Sequence, residues 1–427
     1  MDSLSKTGRI TITRDTLLGI SFVFFFAQDV IRVAIGTIMP ISSDALTWLI
    51  IILMYFPIFM SVVLGGLSDN WFVFRFFILL VIVSGFFAIT YSIHPEYEYW
   101  FFKSSYSIGK WIFRPNQYLY AFLFVSAIDD PKYIIKLMKI VVNLLLIYYT
   151  YKLMQARSVG YWITTTTAAG PQKASYDLSY GYKHLIVFST FACVGFREKN
   201  KLYAIPCVIS IVEILLGGSR GPLLGIGVAL ILLYLFHRTE MSKSIRVIVL
   251  TGVAFVISLW LLLGVNGIMV MAGKVLSVLT GNSSSRTVEM LKNAQGTEDN
   301  GRLRLYKIAF GMIKDGFWGY GAYGDRYVIG RTFWVGYTHN IILEMLIDFG
   351  WILGGLFCIR MAVHSIKLLR KRVNKDWRDL YFIFFIPCLK LLLSGSFWFS
   401  YEFWAAIAVF YMYKRWNKNM KCVEMVA

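Results

Sequence analysis

Residues 338–360 open with Thr338-His339-Asn340 and continue Ile341-Ile342-Leu343-Glu344-Met345-Leu346-Ile347-Asp348-Phe349-Gly350, staying apolar as far as Arg360. About 20 apolar residues suffice to cross a hydrocarbon core about 30 Å thick as an α-helix. This run is headed by a histidine and an asparagine, and it carries Glu344 and Asp348 four residues apart, on one helical face. Carboxylates inside a span face a bundle interior or a wet cavity and have partners there. The stretch therefore predicts a membrane helix with a polar mouth and a polar stripe turned towards other helices.

Similar runs recur along the chain. Of 427 residues, 57% are hydrophobic and only 16% charged, against about 25% charged in soluble domains. Spans are predicted at 16–38, 46–67, 71–94, 111–129, 133–151, 181–196, 201–217, 219–237, 245–265, 340–360, 378–397 and 399–413. The runs are continuous rather than alternating, which excludes a transmembrane barrel. The expected fold class is all-α: a polytopic integral membrane protein of about 12 transmembrane helices, with residues 1–427 as a single transmembrane domain.

A formal charge of +19 would suit nucleic acid, but the basic residues gather in alternate connections. Lys132, Lys136 and Lys139 form one group, and Arg197, Lys199 and Lys201 the next. His237, Arg238, Lys243 and Arg246 follow, then 367–378, then Lys414, Arg415, Lys418 and Lys421. A positive-inside bias puts all of these, and both termini, on the cytoplasmic side. No nucleic acid partner is expected. Segment 152–183, with Lys152, Arg157, Lys173 and Lys183, runs against the trend. The charged start (Lys6, Arg9, Arg14) leads into a retained anchor rather than a cleaved signal. The five cysteines lie apart, as small core residues with no metal spacing.

The outer segment 265–339 far exceeds the roughly 4–6 residues of an ordinary connection, so structure and function are expected of it. After Gly301-Arg302-Leu303-Arg304-Leu305-Tyr306, residues Leu305, Ile308, Ala309, Met312 and Ile313 recur at helical spacing. They predict an amphipathic helix, lying on the membrane surface, with Arg302 at its start.

Several residues on this side suit chemistry. The hairpin Gly217-Gly218-Ser219-Arg220-Gly221-Pro222 offers a proline in the first turn of a helix and free backbone N–H groups at a positive helix end. With Arg220 it could cradle a phosphate or diphosphate; taken alone, the motif fits better a tight hairpin with a snorkelling arginine. Arg302 and Arg304 could clamp a phosphate through their bidentate forks or meet lipid headgroups. His339 is the one histidine of the long outer loop, and histidine's ordinary pKa of about 6.5 suits a general base near neutral pH. A polar interfacial cap is the other reading. Trp318, Tyr320, Tyr323, Tyr327, Phe333, Trp334 and Tyr337 could stack on sugar rings or form an interfacial aromatic belt. Arg286, Arg326 and Arg331 read as solvated loop residues. Asp29, Arg32, Arg114, Glu213, Lys390 and Glu402 fall within spans and keep a transporter reading open. No cofactor and no metal is expected, since no nucleotide loop or metal-ligand cluster stands on the outer side.

Ser219-Arg220-Gly221 at an outer hairpin, Gly301-Arg302 with Tyr306, the Gly319-Tyr320-Gly321 turn, and His339-Asn340 followed by nine residues and Gly350 occur in an order that resembles the O-antigen polymerase and O-antigen ligase superfamily of bacterial membrane glycosyltransferases. The strongest part covers about 203–357. Leu353 stands where the ligase pattern has Gly, Thr or Tyr, and Gly354 and Gly355 follow. The resemblance implies a GT-C-like fold in the bacterial inner membrane and a metal-independent transfer from a donor linked to undecaprenyl diphosphate. His339 would be the base, and Arg220 and Arg302 would hold the diphosphate. Ser219, Asn340, Glu344, Arg304, Tyr306, Trp318 and Tyr320 would support the site or bind substrate. The expected activity is that of a polysaccharide polymerase. A ligase acting on lipid A-core is the alternative, and a lipid-linked glycan flippase or transporter a third. The expected partners are an undecaprenyl-diphosphate-linked oligosaccharide and membrane lipids, with a chain-length regulator and a flippase as candidate protein partners. The large loop, 265–339, would be periplasmic and close over the site.

Overall fold

The computed structural model describes residues 13–39, 41–66, 70–167, 170–174, 177–216, 221–237, 302–333, 336–370 and 372–426, with isolated positions at 270, 274, 277 and 278. The described chain is almost entirely helical. The exception is a hairpin in segment 152–183, where β1 (Trp162–Thr167) pairs antiparallel with β2 (Gly170–Ala174). The predicted span 245–265 and most of 265–301 lie outside the described residues.

Helix α1 (Arg14–Phe26) starts at Thr13, whose side chain caps it, and meets α2 (Gln28–Ile38) at an 81° bend. The predicted span 16–38 is therefore two helices. Gln28 sits buried at the corner, donating to the Asn116 carbonyl at 3.1 Å and accepting from Asn116 Nδ2 at 3.2 Å. α3 (Ser43–Gly65), capped by Ser42, and α4 (Trp71–Ile93) are long apolar helices. The predicted span 111–129 also departs from a single helix, giving α5 (Ile108–Trp111) and α6 (Ala121–Ser126) with irregular backbone between them. Pro115 cannot continue a helical ladder, and side chains take up the carbonyls left over. Tyr55 donates to Pro115 O at 2.8 Å and Tyr120 to Phe113 O at 2.9 Å. Away from water such groups must be satisfied within the protein.

α7 (Pro131–Val159) begins with Asp130 as cap and proline at its first position. It is followed by α8 (Leu178–Glu198), α9 (Ala204–Leu216) and α10 (Gly221–His237). The long connection 265–339 contributes α11 (Arg302–Asp315) and α12 (Gly324–Ile329), and the chain closes with α13 (Ile341–Leu368), α14 (Lys375–Cys388) and α15 (Tyr401–Val426). Among the described residues α3, α4, α7 and α13 are long and apolar enough to cross a membrane, and the bent pair α1–α2 makes a fifth candidate.

Polar contacts separate the two ends of the bundle. At one end Arg197 pairs with Asp376 and, at 3.3 Å, with Asp379; Lys139 meets Glu198 at 3.0 Å and Arg415 meets Asp129 at 3.3 Å. At the other, residues 94–106, 302–340 and 392–399 meet. Tyr97 OH donates to Tyr320 O at 3.2 Å there, and Asn340 Nδ2 to Leu392 O at 3.1 Å.

The helix predicted from the 305–313 stripe is present as α11, but its apolar face is not left for lipid. Leu305, Ala309, Met312 and Ile313 are buried against Leu343 and Ile347 of α13 and Ile329 of α12. The protein supplies the surface that the amphipathic pattern demands.

Candidate active site

The site is built around a break in α13. Gly350 has φ +75°, ψ −179°, a left-handed value that interrupts the helical ladder one turn below Leu346. The break frees backbone groups, and residues 317–321 take them up: Tyr320 N–H donates to Ile347 O at 2.7 Å, Gly321 N–H to Asp348 O at 3.1 Å, and Trp351 N–H to Phe317 O at 3.0 Å. Two glycines allow the approach. A Cβ on Gly350 would lie 2.5 Å from Phe317 O, and one on Gly319 2.5 Å from Gly350 N. Ala322 N–H then donates to Thr90 Oγ1 of α4 at 3.0 Å. The Gly319-Tyr320-Gly321 turn is thus a clip that fastens the loop to two long helices.

Beyond the clip, α12 carries Asp325 and Arg326 into the protein. Arg326 is 1% exposed, and Asp325 and Glu344 are 0% exposed. The guanidinium donates to Asp325 Oδ1 at 2.9 Å, to Glu344 Oε1 through both Nη atoms at 3.3 Å, and to Ser396 Oγ at 2.8 Å. It lies 4.0 Å from the centre of the Tyr323 ring and 5.1 Å from that of Phe399. Glu344 also accepts from Ser396 Oγ and, at 3.2 Å, from Phe397 N–H. One turn along α13, Asp348 accepts from Trp398 Nε1 at 3.0 Å. Burial opposes the charge on Arg326, but Asp325 and Glu344 outweigh it and hold the guanidinium protonated. Burial also pushes the Asp325 carboxyl up, against the pull of Arg326 and of the Thr338 amide. One arginine therefore ties α12, α13 and the α14–α15 connection together.

His339 sits at the edge of this network, half-buried, where the chain enters α13. Its φ is +56°, a left-handed conformation that costs a non-glycine residue roughly 1–3 kcal/mol and persists only when neighbours impose it. Those neighbours are on both sides. Thr338 N–H donates to Asp325 Oδ2 at 3.4 Å, and Thr338 Oγ1 to Asn340 O at 3.1 Å. Asn340 caps α13, its Oδ1 accepting from Ile342 N–H at 2.9 Å and Leu343 N–H at 3.3 Å. The Tyr337 ring lies 4.2 Å from the imidazole, centre to centre. Partly exposed histidine on a backbone this constrained is suited to taking a proton at a fixed point.

The other predicted residues are distributed unevenly. Glu344 belongs to the buried network, and Asn340 serves as helix cap. Tyr320 carries the clip, and Tyr306 packs with the α11–α13 cluster. Trp318 is 83% exposed, and Arg304, also exposed, lies 5.7 Å from the centre of the Phe333 ring. Arg302 is the first residue of α11. Ser219 and Arg220 lie outside the described residues, as does Arg286.

Sequence reading assigned Arg326 to solvent, and the structure corrects this: it is almost fully buried, between the carboxylates of Asp325 and Glu344. A lone arginine in a six-residue helix gives no periodic signal, although the two carboxylates on α13 had implied a partner. His184 was also passed over. It is fully buried on α8, with Nε2 3.1 Å from Glu213 Oε2 of α9. Thr150 and Tyr180 donate to the same carboxylate at 2.6 and 2.7 Å. Lys390 and Glu402, 2.8 Å apart, form a second such pair.

Residues 205–358 match the family model described as O-antigen ligase. The match runs from α9 to just past the Gly350 break, about a third of the chain, and supports a relation to the O-antigen polymerase and ligase superfamily and a function of that general type. Comparisons with curated proteins and with solved structures give no match.

Proposed function

We propose that the protein is a polysaccharide polymerase of the bacterial inner membrane, moving a growing glycan from undecaprenyl diphosphate to the next lipid-linked repeat unit. The observation that carries this is His339, held at positive φ between an aspartate-anchored threonine and a helix-capping asparagine, inside the matched segment. In the reaction His339 takes the proton of the acceptor hydroxyl as its oxygen bonds to the anomeric carbon. The bond from that carbon to the diphosphate oxygen breaks, and undecaprenyl diphosphate leaves with the electron pair. Arg220 and Arg302 stabilise the charge that develops on the leaving group, which is where preorganised donors contribute most. A single displacement of this kind inverts the anomeric centre.

The reading includes a single transmembrane domain of about 12 spans with a GT-C-like arrangement, a periplasmic site and cytoplasmic termini. It is supported by the segregation of contacts: the basic connections 129–139, 197–203 and 375–379 meet at one end, and 94–106, 302–340 and 392–399 at the other. A chain-length regulator and a flippase remain its proposed protein partners. Ligation to lipid A-core is a second reading, favoured by the description of the matching family. The flippase reading draws less support, because Glu213, Lys390 and Glu402 have partners within the bundle.

A gel of surface polysaccharide from a deletion strain, complemented with wild type or His339→Ala, tests the proposal. Core bearing a single repeat unit in the deletion and the variant identifies the polymerase. Bare core with lipid-linked polymer accumulating identifies the ligase. A full ladder from His339→Ala at wild-type protein levels overturns the catalytic assignment.

A further inference from the structure

The segment after α4 folds back against the loop that carries His339. Residues Pro95–Tyr97 form a tight 3₁₀ turn and Tyr99–Lys103 a wider π turn. Tyr97 joins them to the clip through Tyr320 O, and its ring lies 4.8 Å from that of Tyr327. The Trp100 indole is seated on two glycines: a Cβ on Gly330 would fall 2.4 Å from its Cζ2, and one on Gly336 2.9 Å from its Cη2. Between these elements is an open pocket of about 240 Å³ lined by Glu96, Tyr99, Trp100, Tyr327, Gly330 and Arg331. Its walls combine three aromatic rings with one carboxylate and one guanidinium. The charged groups are ordered: His94 Nδ1 holds Glu96 Oε1 at 3.0 Å, and Arg331 Cζ lies 4.2 Å from the centre of the Tyr327 ring.

We propose that this cleft is a pyranose-binding subsite for the glycan portion of the lipid-linked substrate. The inference rests on the proposed function of the neighbouring His339 and adds where the sugar is gripped. The composition selects the ligand. Aromatic rings present flat apolar faces with polar tips, which match the C–H faces and rim hydroxyls of a sugar ring. Glu96 accepts from hydroxyls, and Arg331 donates to hydroxyl or N-acetyl oxygens. One acid and one base leave no net charge with which to hold a diphosphate, and an open polar cleft does not suit a polyprenyl tail. The volume is below the roughly 300–1,000 Å³ of pockets that take drug-sized ligands and is in scale with one or two sugar rings. Position completes the argument: Trp100 packs on Gly336, three residues before His339, so the cleft adjoins the segment that carries the proposed base.

The test uses full-length protein in lipid nanodiscs and, as probe, the free repeat-unit oligosaccharide released by mild acid from the host's own surface polysaccharide. Saturation-transfer NMR gives its Kd. Tyr99→Ala, Glu96→Gln and Arg331→Met are the variants, chosen at the rim because replacing Trp100 would undo packing on two glycines. Each should weaken binding about tenfold or more, the scale of one hydrogen bond to a charged group, while Ser42→Ala, at the remote α3 cap, should bind as wild type. An unchanged Kd in all three rim variants, or no binding by wild type, overturns the proposal. A full polysaccharide ladder from His339→Ala would instead sink the catalytic reading, and the rim variants would still decide the cleft.

Discussion

Replacing Arg326 with methionine should destabilise this protein more than any other arginine substitution at the same end. The side chain is almost fully buried and makes four hydrogen bonds: one to Asp325, two to Glu344 and one to Ser396. Methionine fills comparable space but leaves two carboxyls, each 0% exposed, without their cation. Removing one partner of a buried ion pair costs about 3–5 kcal/mol, because the other charge stays behind uncompensated. That is a large part of a typical total stability of roughly 5–15 kcal/mol. The control is Arg304→Met, which loses only an exposed contact to Phe333 and should cost no more than about 0.5 kcal/mol. Removing a carboxylate as well should restore part of the loss, since replacing a whole buried pair with neutral groups is often tolerated. Arg326→Met/Glu344→Gln should therefore be more stable than Arg326→Met alone. The assay is thermal unfolding of detergent-purified protein followed by size-exclusion fluorescence, with the four proteins forming a double-mutant cycle when Glu344→Gln is added. Equal loss in the Arg326 and Arg304 variants, or a double mutant worse than the sum of the singles, would refute the account of the buried network.

Two further substitutions probe the backbone that carries the site. Gly350→Ala would force a side chain into left-handed φ and within 2.5 Å of Phe317 O, so the clip should detach. The expected result is a new protease-sensitive site near 316–321 and at least a tenfold loss of polymer in complementation, and wild-type proteolysis would contradict it. Asn340→Ala removes the α13 cap at a cost of about 1 kcal/mol, a modest drop in thermal stability. Polymer yield should fall far more than that drop explains, because the cap also fixes His339; a loss no greater than that of Ser42→Ala, a cap on α3 remote from the site, would show that the position is only structural.

The parts legible in the sequence were those with a period or a local chemical rule. The stripe of α11 was readable because its apolar residues recur at helical spacing, and the same spacing placed Glu344 and Asp348 on one face. Asn340 opening an apolar run announced the start of α13. What was hidden depended on tertiary contact. A run such as 340–360 reads as one helix because Gly350 is flanked by apolar residues on both sides, and its φ is decided by the loop that docks there. The bends at Ala27 and Pro115 were obscured in the same way, since Gln28 and Tyr55 supply bonds to 115–116 from far along the chain. Arg326 and His184 are single residues in otherwise unremarkable segments, and only burial distinguishes them.

These hidden features have a common effect on His339, the proposed base. His339 is attached to α13 through Asn340, to α12 through Thr338 and Asp325, and through Arg326 to Glu344 and Ser396. The clip at Gly319–Gly321 fixes the same loop to α4 and to the broken turn of α13. A base displaced by about 1 Å can lose on the order of a hundredfold in rate, so a histidine on a loop needs a frame of this kind. On the proposed function, the charges buried beside it act through position rather than by touching substrate. On that account substitutions within the frame should lower polymer yield in proportion to how far they loosen residues 336–340, whether or not they alter the half-exposed imidazole itself.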